Sequence, residues 1–178
     1  MIPASLPPAA LPLVLALVGT DHHPFRRLVG WTDRWYAGRP PGSVEALVQH
    51  GASPPPARAP GRPFVPRDEL DALLRRAAVV VCHGGPSTIV EARRAGVVPI
   101  VVARSGALGE HVDDHQRRFA GMMAGRGLIA LVDDEEALHA AVDAALLRPL
   151  RTTGDAHPDP SEAALRLGRL VDRLTGRR

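Results

Sequence analysis

The chain contains no lysine, because all 22 of its basic residues are arginine. This absence excludes a Walker A phosphate loop, a pyridoxal Schiff base and a lysine general base, since each needs the amine. The single cysteine, Cys82, excludes a disulfide framework and a zinc site built from cysteines. Aromatic residues make up only 3% of the chain and the net charge is only +3. We therefore expect no nucleic acid among its partners.

Long apolar runs are also missing. No stretch approaches the roughly 20 apolar residues that a membrane span needs. The first 12 residues contain four prolines and no basic residue, which is unlike a signal peptide. The sequence therefore predicts a cytoplasmic protein.

Short apolar runs and amphipathic segments follow one another along the chain. We predict strands at 13–18, 44–48, 64–65, 78–82, 99–103 and 129–132, and helices at 24–36, 69–76, 86–95, 114–124 and 134–147. Asp68 is expected to cap the second helix, and the proline-rich stretch 51–62 to form an irregular loop. This order is typical of an α/β fold with a Rossmann-like, doubly wound parallel sheet.

Residues 1–178 are expected to form a single domain. Its core covers 13–148, followed by a linker at 149–160 and an amphipathic C-terminal helix at 161–176. Ligands of such sheets bind beyond the carboxyl ends of the strands, where loops gather. Three loops there hold unusual polar residues: Gly19 to His23, His83 to Ser87, and Arg104 to Gln116.

The turn that follows the strand at 78–82 carries the strongest chemical signal. Gly84 and Gly85 permit close approach to the backbone, and the amides of Ser87 and Thr88 stand at a helix start that favours an anion. Glu91 lies one turn deeper, where a carboxylate can accept from two ribose hydroxyls. The alternative is a plain turn in which Ser87 and Thr88 only cap the helix.

Four histidines flank this turn in sequence. His22 and His23 follow the first strand and are candidates for a general base or for binding a phosphate; the alternative is one helix cap and one solvated ring. His111 and His115 are spaced like zinc ligands, but no third ligand accompanies them, so we expect no metal site. Asp113 and Gln116 fit a capping box.

The stretch from His83 to Glu91, with Gly96, Pro99 and Asp114-His115-Gln116, resembles the donor-binding half of the GT-B glycosyltransferases, and family 28 in particular. It is most similar to the single-domain catalytic subunits of two-component transferases for exopolysaccharide or capsule. The opening Gly19-Thr20-Asp21-His22-His23 and the later Gly109 to Gln116 share this likeness.

The resemblance implies a site and a reaction. His83, Gly84, Gly85, Ser87 and Thr88 would meet the phosphates of a UDP-sugar, with Gly19 and Thr20 beside them; Glu91 would hold the ribose, and Asp114, His115 and Gln116 the sugar. It implies inverting transfer of a hexose or N-acetylhexosamine to a lipid-linked acceptor, without a cofactor or a metal. It also implies a membrane-anchored partner subunit that binds the acceptor and holds the chain at the inner face of the membrane. Alternatives are a non-catalytic, activating subunit and a UDP-sugar hydrolase.

Overall fold

The computed structural model of the protein describes residues 10–113 and 115–152. Within these ranges the elements are β1 (Leu13–Leu17), α1 (Arg26–Ala37), β2 (Glu45–Gln49), β3 (Gly61–Arg62), α2 (Arg67–Arg76), β4 (Ala77–Cys82), α3 (Pro86–Arg94), β5 (Ile100–Val101), α4 (His115–Gly125), β6 (Ala130–Leu131) and α5 (Glu135–Leu147). The strands form one parallel sheet in the order β3-β2-β1-β4-β5-β6. This is the strand order of a Rossmann-like, doubly wound fold, which confirms the predicted fold class.

The two central strands are buried on both faces, because helices cover both sides of the sheet. In β1, Val14 and Ala16 pack toward α1 and α5. Leu15 and Leu17 pack on the opposite face with residues of α2, α3 and α4. Successive side chains of a strand point to opposite faces, so a strand buried on both sides must be continuously apolar. This explains the apolar run that marked β1 in the sequence.

The third strand lies at a different place from the predicted one. The prediction put it at 64–65, whereas β3 forms inside the stretch 51–62 that was expected to be an irregular loop. The N–H groups of Val48 and His50 donate to carbonyls on this segment, each at 2.9 Å. The prediction was wrong because a two-residue, exposed edge strand is held by its backbone alone and carries no apolar pattern.

Helix α2 begins before the predicted position. It starts at Arg67, with Pro66 at the N-cap position and no side-chain cap. Asp68 was expected to be the cap and instead lies in the first turn with Glu69. Acidic side chains there interact favourably with the helix dipole. The assignment of Asp68 as the cap is therefore wrong, although its charge still favours this end of the helix.

After α5 the chain runs back beside the segment that precedes β5. Residues 150–152 lie antiparallel to residues 96–98, and the N–H of Val98 donates to the carbonyl of Leu150 at 2.9 Å. Most of the predicted linker and all of the predicted helix at 161–176 lie outside the described residues.

Candidate functional site

A cleft of about 550 Å³ opens at the carboxyl edge of the sheet, beside the ends of β1 and β4. This volume lies within the range of small-molecule sites. The cleft is lined by Leu17, Gly19, Thr20, Asp21, Gln49, Phe64, Val65, Arg67, Leu70, His83, Ser87, Thr88, Glu91 and Gln116. Seven predicted donor-binding residues are among them: Gly19, Thr20, His83, Ser87, Thr88, Glu91 and Gln116. The structure therefore brings together the ends of three loops that the sequence had placed at one edge.

The turn between β4 and α3 leaves the start of the helix uncapped. Gly84 has a φ of +83°, Gly85 is the N-cap residue, and no side-chain hydrogen bond caps this helix. Pro86 takes the first helical position, where its missing N–H breaks no intrahelical bond. The N–H groups of Ser87 and Thr88 therefore stand at a helix start, where partial positive charge favours an anion. Capping by these two side chains, the alternative interpretation, does not occur in the structure.

The His83 ring fills the space between this turn and the loop after β1. A Cβ atom added to Gly85 would lie 2.3 Å from Nε2, and one added to Gly19 would lie 2.7 Å from Cε1. Nδ1 is 3.3 Å from the carbonyl oxygen of Leu17. Burial, and then the charge of Arg104, lowers the pKa of His83 to about 4. The neutral ring donates from Nδ1 to that carbonyl and presents a lone pair at Nε2, so donation to a diphosphate would need a second proton.

Glu91 lies one turn deeper in α3, with 17% of its side chain exposed. The Nη1 of Arg67, at the start of α2, donates to its Oε1. This hydrogen bond, and the charge behind it, raises the pKa of Arg67 above its ordinary value. Arg67 could not be predicted as a cleft residue, because it is far from Glu91 in the chain and only the fold brings α2 beside α3.

Gln49 holds the glycine loop after β1 in place. Its Nε2 donates to the carbonyl of Gly19 at 2.9 Å and to that of Pro63 at 3.1 Å. Its Oε1 accepts from the N–H of Gly19 at 3.2 Å. Gln49 was not among the predicted site residues, although it is a polar residue directly after the apolar run of the predicted second strand.

Gln116 contributes a polar atom without a partner. The residue lies in the first turn of α4 and is 6% exposed. Its Oε1 is buried and has no hydrogen-bond partner among the described residues. The reciprocal contact of a capping box with Asp113 is therefore not formed, and this expectation is wrong. Gln116 is a residue of the cleft lining, so its unsatisfied buried oxygen would gain a partner if the side chain turned toward a ligand that donates a hydrogen bond.

Arg104 joins the loop after β1 to the loop between β5 and α4. It follows β5, is fully buried, and donates to the carbonyls of Val18, His23 and Glu110 at 2.7 to 2.8 Å. Burial lowers its pKa below the ordinary value, against the opposing charges of Asp21 and Glu110. The carboxylate of Glu110 also accepts two hydrogen bonds from Arg27, at 2.9 and 2.8 Å. Neither arginine was singled out from the sequence, where arginines are too common to signal burial.

The two candidate catalytic histidines lie at the rim, outside the cleft lining. The side chain of His22 is 85% exposed. The ring of His23 contacts Asp21 through Nδ1 and Oδ1 at 2.6 Å, and its backbone N–H donates to the same oxygen at 2.7 Å. Although burial opposes it, these hydrogen bonds lower the pKa of Asp21 to about 2. A general-base role for His22 or His23 stays a prediction.

Of the remaining predicted donor residues that the structure describes, none lines the cleft; these are Gly84, Gly85 and His115. His115 begins α4, its backbone N–H donates to Oδ1 of Asp113 at 2.9 Å, and its ring contacts the same oxygen. Asp114 lies outside the described residues. Cys82 is fully buried at the end of β4, and burial raises the pKa of its thiol to about 12. Cys82 is therefore a residue of the core.

A model of the glycosyltransferase family 28 C-terminal domain matches residues 62–166, more than half of the chain. The chain belongs to this family. The match contains the α3 turn, Glu91 and Gln116, whereas the loop from Gly19 to His23 precedes it. The resemblance drawn from the sequence is confirmed at the level of the family.

Solved glycosyltransferases share the fold of this family 28 domain. A kitacinnamycin glycosyltransferase is 22% identical, with a TM-score of 0.58 over 81% of this chain and 37% of its own. MurG of Acinetobacter baumannii is 18% identical, with a TM-score of 0.54 over 89% of this chain and 50% of its own. The spinosyn rhamnosyltransferase SpnG, complexed with thymidine diphosphate, is 20% identical, with a TM-score of 0.51 over 76% of this chain and 37% of its own.

These structures show that the chain has the fold of the C-terminal, Rossmann-like domain of GT-B glycosyltransferases. The chain spans between about a third and a half of their length. A comparison with curated proteins found no significant match. None of the helices in the described ranges is long and apolar enough to cross a membrane.

Proposed function

We propose that this chain binds a UDP-sugar in the cleft and transfers its hexose or N-acetylhexosamine to a lipid-linked acceptor, in exopolysaccharide or cell-envelope glycan synthesis. The observation that carries the proposal is the uncapped start of α3, which opens into the cleft with the carboxylate of Glu91 one turn deeper. Membership of family 28 supports the reaction class.

The diphosphate is proposed to lie against the amides of Ser87 and Thr88, with the loop at Gly19 and Thr20 on its other side. An N-terminal helix dipole and free N–H groups favour anions without a cation. The same groups would stabilise the charge that develops on the departing diphosphate, so the proposal requires neither cofactor nor metal at this point.

Glu91 is proposed to hold the ribose by accepting from its two vicinal hydroxyls. Arg67 already donates a hydrogen bond to Oε1 of Glu91. The ribose would therefore either share the Glu91 carboxylate with Arg67 or displace Arg67 from it. Phe64, which is 60% exposed, and Val65 line the cleft beside α2, and we assign the base to that side. The unpartnered Oε1 of Gln116 is proposed to accept from a hydroxyl of the donor sugar.

Transfer with inversion is proposed to follow in-line attack of the acceptor hydroxyl on the anomeric carbon. The attack needs a base at the cleft rim, where Asp21 orients the ring of His23 through Nδ1. A histidine held by a carboxylate is a usual arrangement for a general base. His22, which is mostly exposed, is the second candidate.

A membrane-anchored partner is proposed to supply the acceptor side of the cleft and to hold the chain at the inner face of the membrane. The described residues supply one Rossmann-like unit, whereas the structural neighbours are about twice as long as this chain. The exposed side chains of Leu108 and Val112, at 64% and 75%, lie on the loop between β5 and α4 at the edge that bears the cleft. Exposed apolar groups at this edge suit a protein contact.

The decisive measurement is calorimetric titration with UDP and with 2′-deoxy-UDP. The two nucleotides differ only in one of the two ribose hydroxyls that are proposed to donate hydrogen bonds to Glu91. The wild-type chain should prefer UDP by about tenfold, since a hydrogen bond to a charged group contributes roughly 1.5 kcal/mol or more. Glu91→Gln should reduce that preference, and Glu136→Gln, at an exposed position of α5, should leave it unchanged. If neither UDP nor 2′-deoxy-UDP binds, the donor site is refuted. The same titration with thymidine diphosphate tests which nucleotide base the site prefers.

Catalysis is tested with the chain and its partner together. Transfer from a UDP-sugar to a lipid-linked acceptor should need both proteins and should fall sharply in Glu91→Ala. Unchanged turnover in that variant would identify the chain as a non-catalytic subunit. Full transfer by the chain alone would contradict the need for a partner, and consumption of UDP-sugar without any acceptor would indicate a hydrolase.

A further inference from the structure

Six ionisable side chains meet at the rim of the cleft, and we call them the rim cluster: Asp21, His22, His23, His111, Asp113 and His115. They form two trios, Asp21-His22-His23 and His111-Asp113-His115, and within each trio the possible ligand atoms lie within 4.8 Å of one another. The trios are joined through His111, whose Nε2 lies 3.8 Å from Oδ2 of Asp21. None of the three residues of the second trio lines the cleft.

The second trio contains a nitrogen without a partner. Nδ1 of His111 is buried and makes no hydrogen bond among the described residues. It faces Oδ1 of Asp113 at 3.8 Å, and Nδ1 of His115 contacts the same oxygen. Two imidazole nitrogens therefore converge on one carboxylate, and the buried nitrogen lacks a proton acceptor or donor at hydrogen-bond distance.

The opposite side of the His111 ring resembles the surroundings of a metal ligand. Histidines that bind metals usually direct their second nitrogen toward a carboxylate, which fixes the tautomer of the ring. Asp21 lies on that side of the ring, with its Oδ2 3.8 Å from Nε2, so a small approach is needed to form this hydrogen bond. Asp21 is itself held by two hydrogen bonds from His23. The first trio has no buried nitrogen without a partner, because Nδ1 of His23 contacts Asp21 and the side chain of His22 is 85% exposed.

We propose that His111, Asp113 and His115 bind a divalent transition-metal ion such as Zn²⁺ at the rim of the cleft. Two imidazoles and one carboxylate suit zinc and its first-row neighbours, whereas Mg²⁺ and Ca²⁺ prefer oxygen ligands throughout. Ligands about 2.0 Å from a tetrahedral ion lie about 3.3 Å apart. The 3.8 Å between His111 and Asp113 therefore has to shorten, and the hydrogen bond between His115 and Asp113 has to open to admit the ion. Three protein ligands leave a fourth position for water or substrate.

This site differs from the diphosphate cradle in both place and residues. The sequence offered His111 and His115 without a third ligand; the loop geometry supplies Asp113. The rival explanation is a chain of shared protons, in which His111 bridges Asp21 and Asp113 without any metal. The two explanations predict different behaviour toward metal ions, whatever the chain does with nucleotides.

The test uses the full chain without a polyhistidine tag, freed of metal by a chelator. Zn²⁺ is titrated by calorimetry, and Co²⁺ by the visible absorption that it gains on binding nitrogen and oxygen ligands. We expect one ion per chain. Asp113→Asn should weaken binding by about tenfold or more, and it keeps an oxygen for the amide of His115. His111→Ala should abolish binding, and His139→Ala, a histidine on α5 outside the rim cluster, should not change it.

Failure to bind either ion in a saturable manner would overturn the proposal, and so would equal affinity in Asp113→Asn and the wild type. Loss of binding in His22→Ala with retention in His111→Ala would move the site to the first trio and refute this assignment. Circular dichroism of every variant verifies that it is folded. UDP titration of the metal-free chain distinguishes failure of this proposal from failure of the donor site.

Discussion

The buried ring of His83 makes the stability of the fold sensitive to acid. Its pKa is lowered from the ordinary 6.5 to about 4 by burial and then by the positive charge of Arg104; His111 acts in the same direction, and Asp21 opposes it. Because the pKa is lower in the folded state, the unfolded chain binds more protons between these two values. The free energy of unfolding therefore falls as the pH drops below about 6.5, and this loss is complete below about pH 4.

The size of the effect follows from the difference between the two pKa values. Each pKa unit corresponds to about 1.4 kcal/mol, so the full difference amounts to about 3 kcal/mol. At about pH 5 the unfolded ring is almost fully protonated and the folded ring almost fully neutral, and about 2 kcal/mol is already lost.

Urea unfolding at about pH 7.5 and about pH 5 measures this loss. The variant His83→Gln lacks the titrating ring but can still donate to the carbonyl of Leu17. Its free energy of unfolding should fall by about 2 kcal/mol less than that of the wild type over this interval. Other acid-sensitive groups act on both proteins and cancel in the comparison. Equal losses in the two proteins, or an NMR titration of His83 near its ordinary value, would refute the reasoning.

Three further substitutions test the packing around the cleft, each by urea unfolding and UDP titration. Gly85→Ala places a Cβ 2.3 Å from Nε2 of His83, so it should lower the free energy of unfolding by about 1–3 kcal/mol and weaken UDP binding. Gln116→Leu removes a buried oxygen without a partner; it should stabilise the fold by about 1 kcal/mol while weakening UDP-sugar more than UDP. Glu110→Ala leaves Arg27 without its carboxylate partner and should destabilise the fold by about 3 kcal/mol.

Each substitution has its own control. Combining Gly85→Ala with His83→Ala removes the clash and should restore part of the lost stability; a single variant as stable as the wild type would contradict the close packing. A destabilised Gln116→Leu would indicate that the buried oxygen has a partner in solution. Glu135→Ala breaks a more exposed ion pair and should cost less than about 1 kcal/mol, so a similar cost for Glu110→Ala would contradict its structural role.

The parts of the fold that could be predicted are those in which local sequence and tertiary environment agree. The apolar runs of β1 and β4 predict strands that are buried on both faces. Pro86 predicts the first residue of α3 correctly. The glycines before that start and the hydroxyl residues after it predicted an anion site for the same reason. These elements place most of the predicted donor residues around one cleft.

Other features depend on contacts between distant residues and leave no local pattern. The pairing of Arg67 with Glu91 and the burial of Arg104 arise only when separate elements pack together. Edge strand β3 is two residues long and exposed, so its side chains carry no periodicity. The alignment of Asp113 with His111 depends on the path of the loop before α4, which residue spacing does not specify.

Because Cys82 is fully buried, the reactivity of its thiol reports how often the fold opens. A thiol with a pKa raised to about 12 stays protonated and shielded while the fold is closed. It is the only cysteine in the chain, so alkylating reagents can react there only in molecules whose central strand has become accessible. The alkylation rate in native buffer thus measures how often β4 is exposed, and slower alkylation with UDP present would show directly that ligand binding and strand protection are coupled.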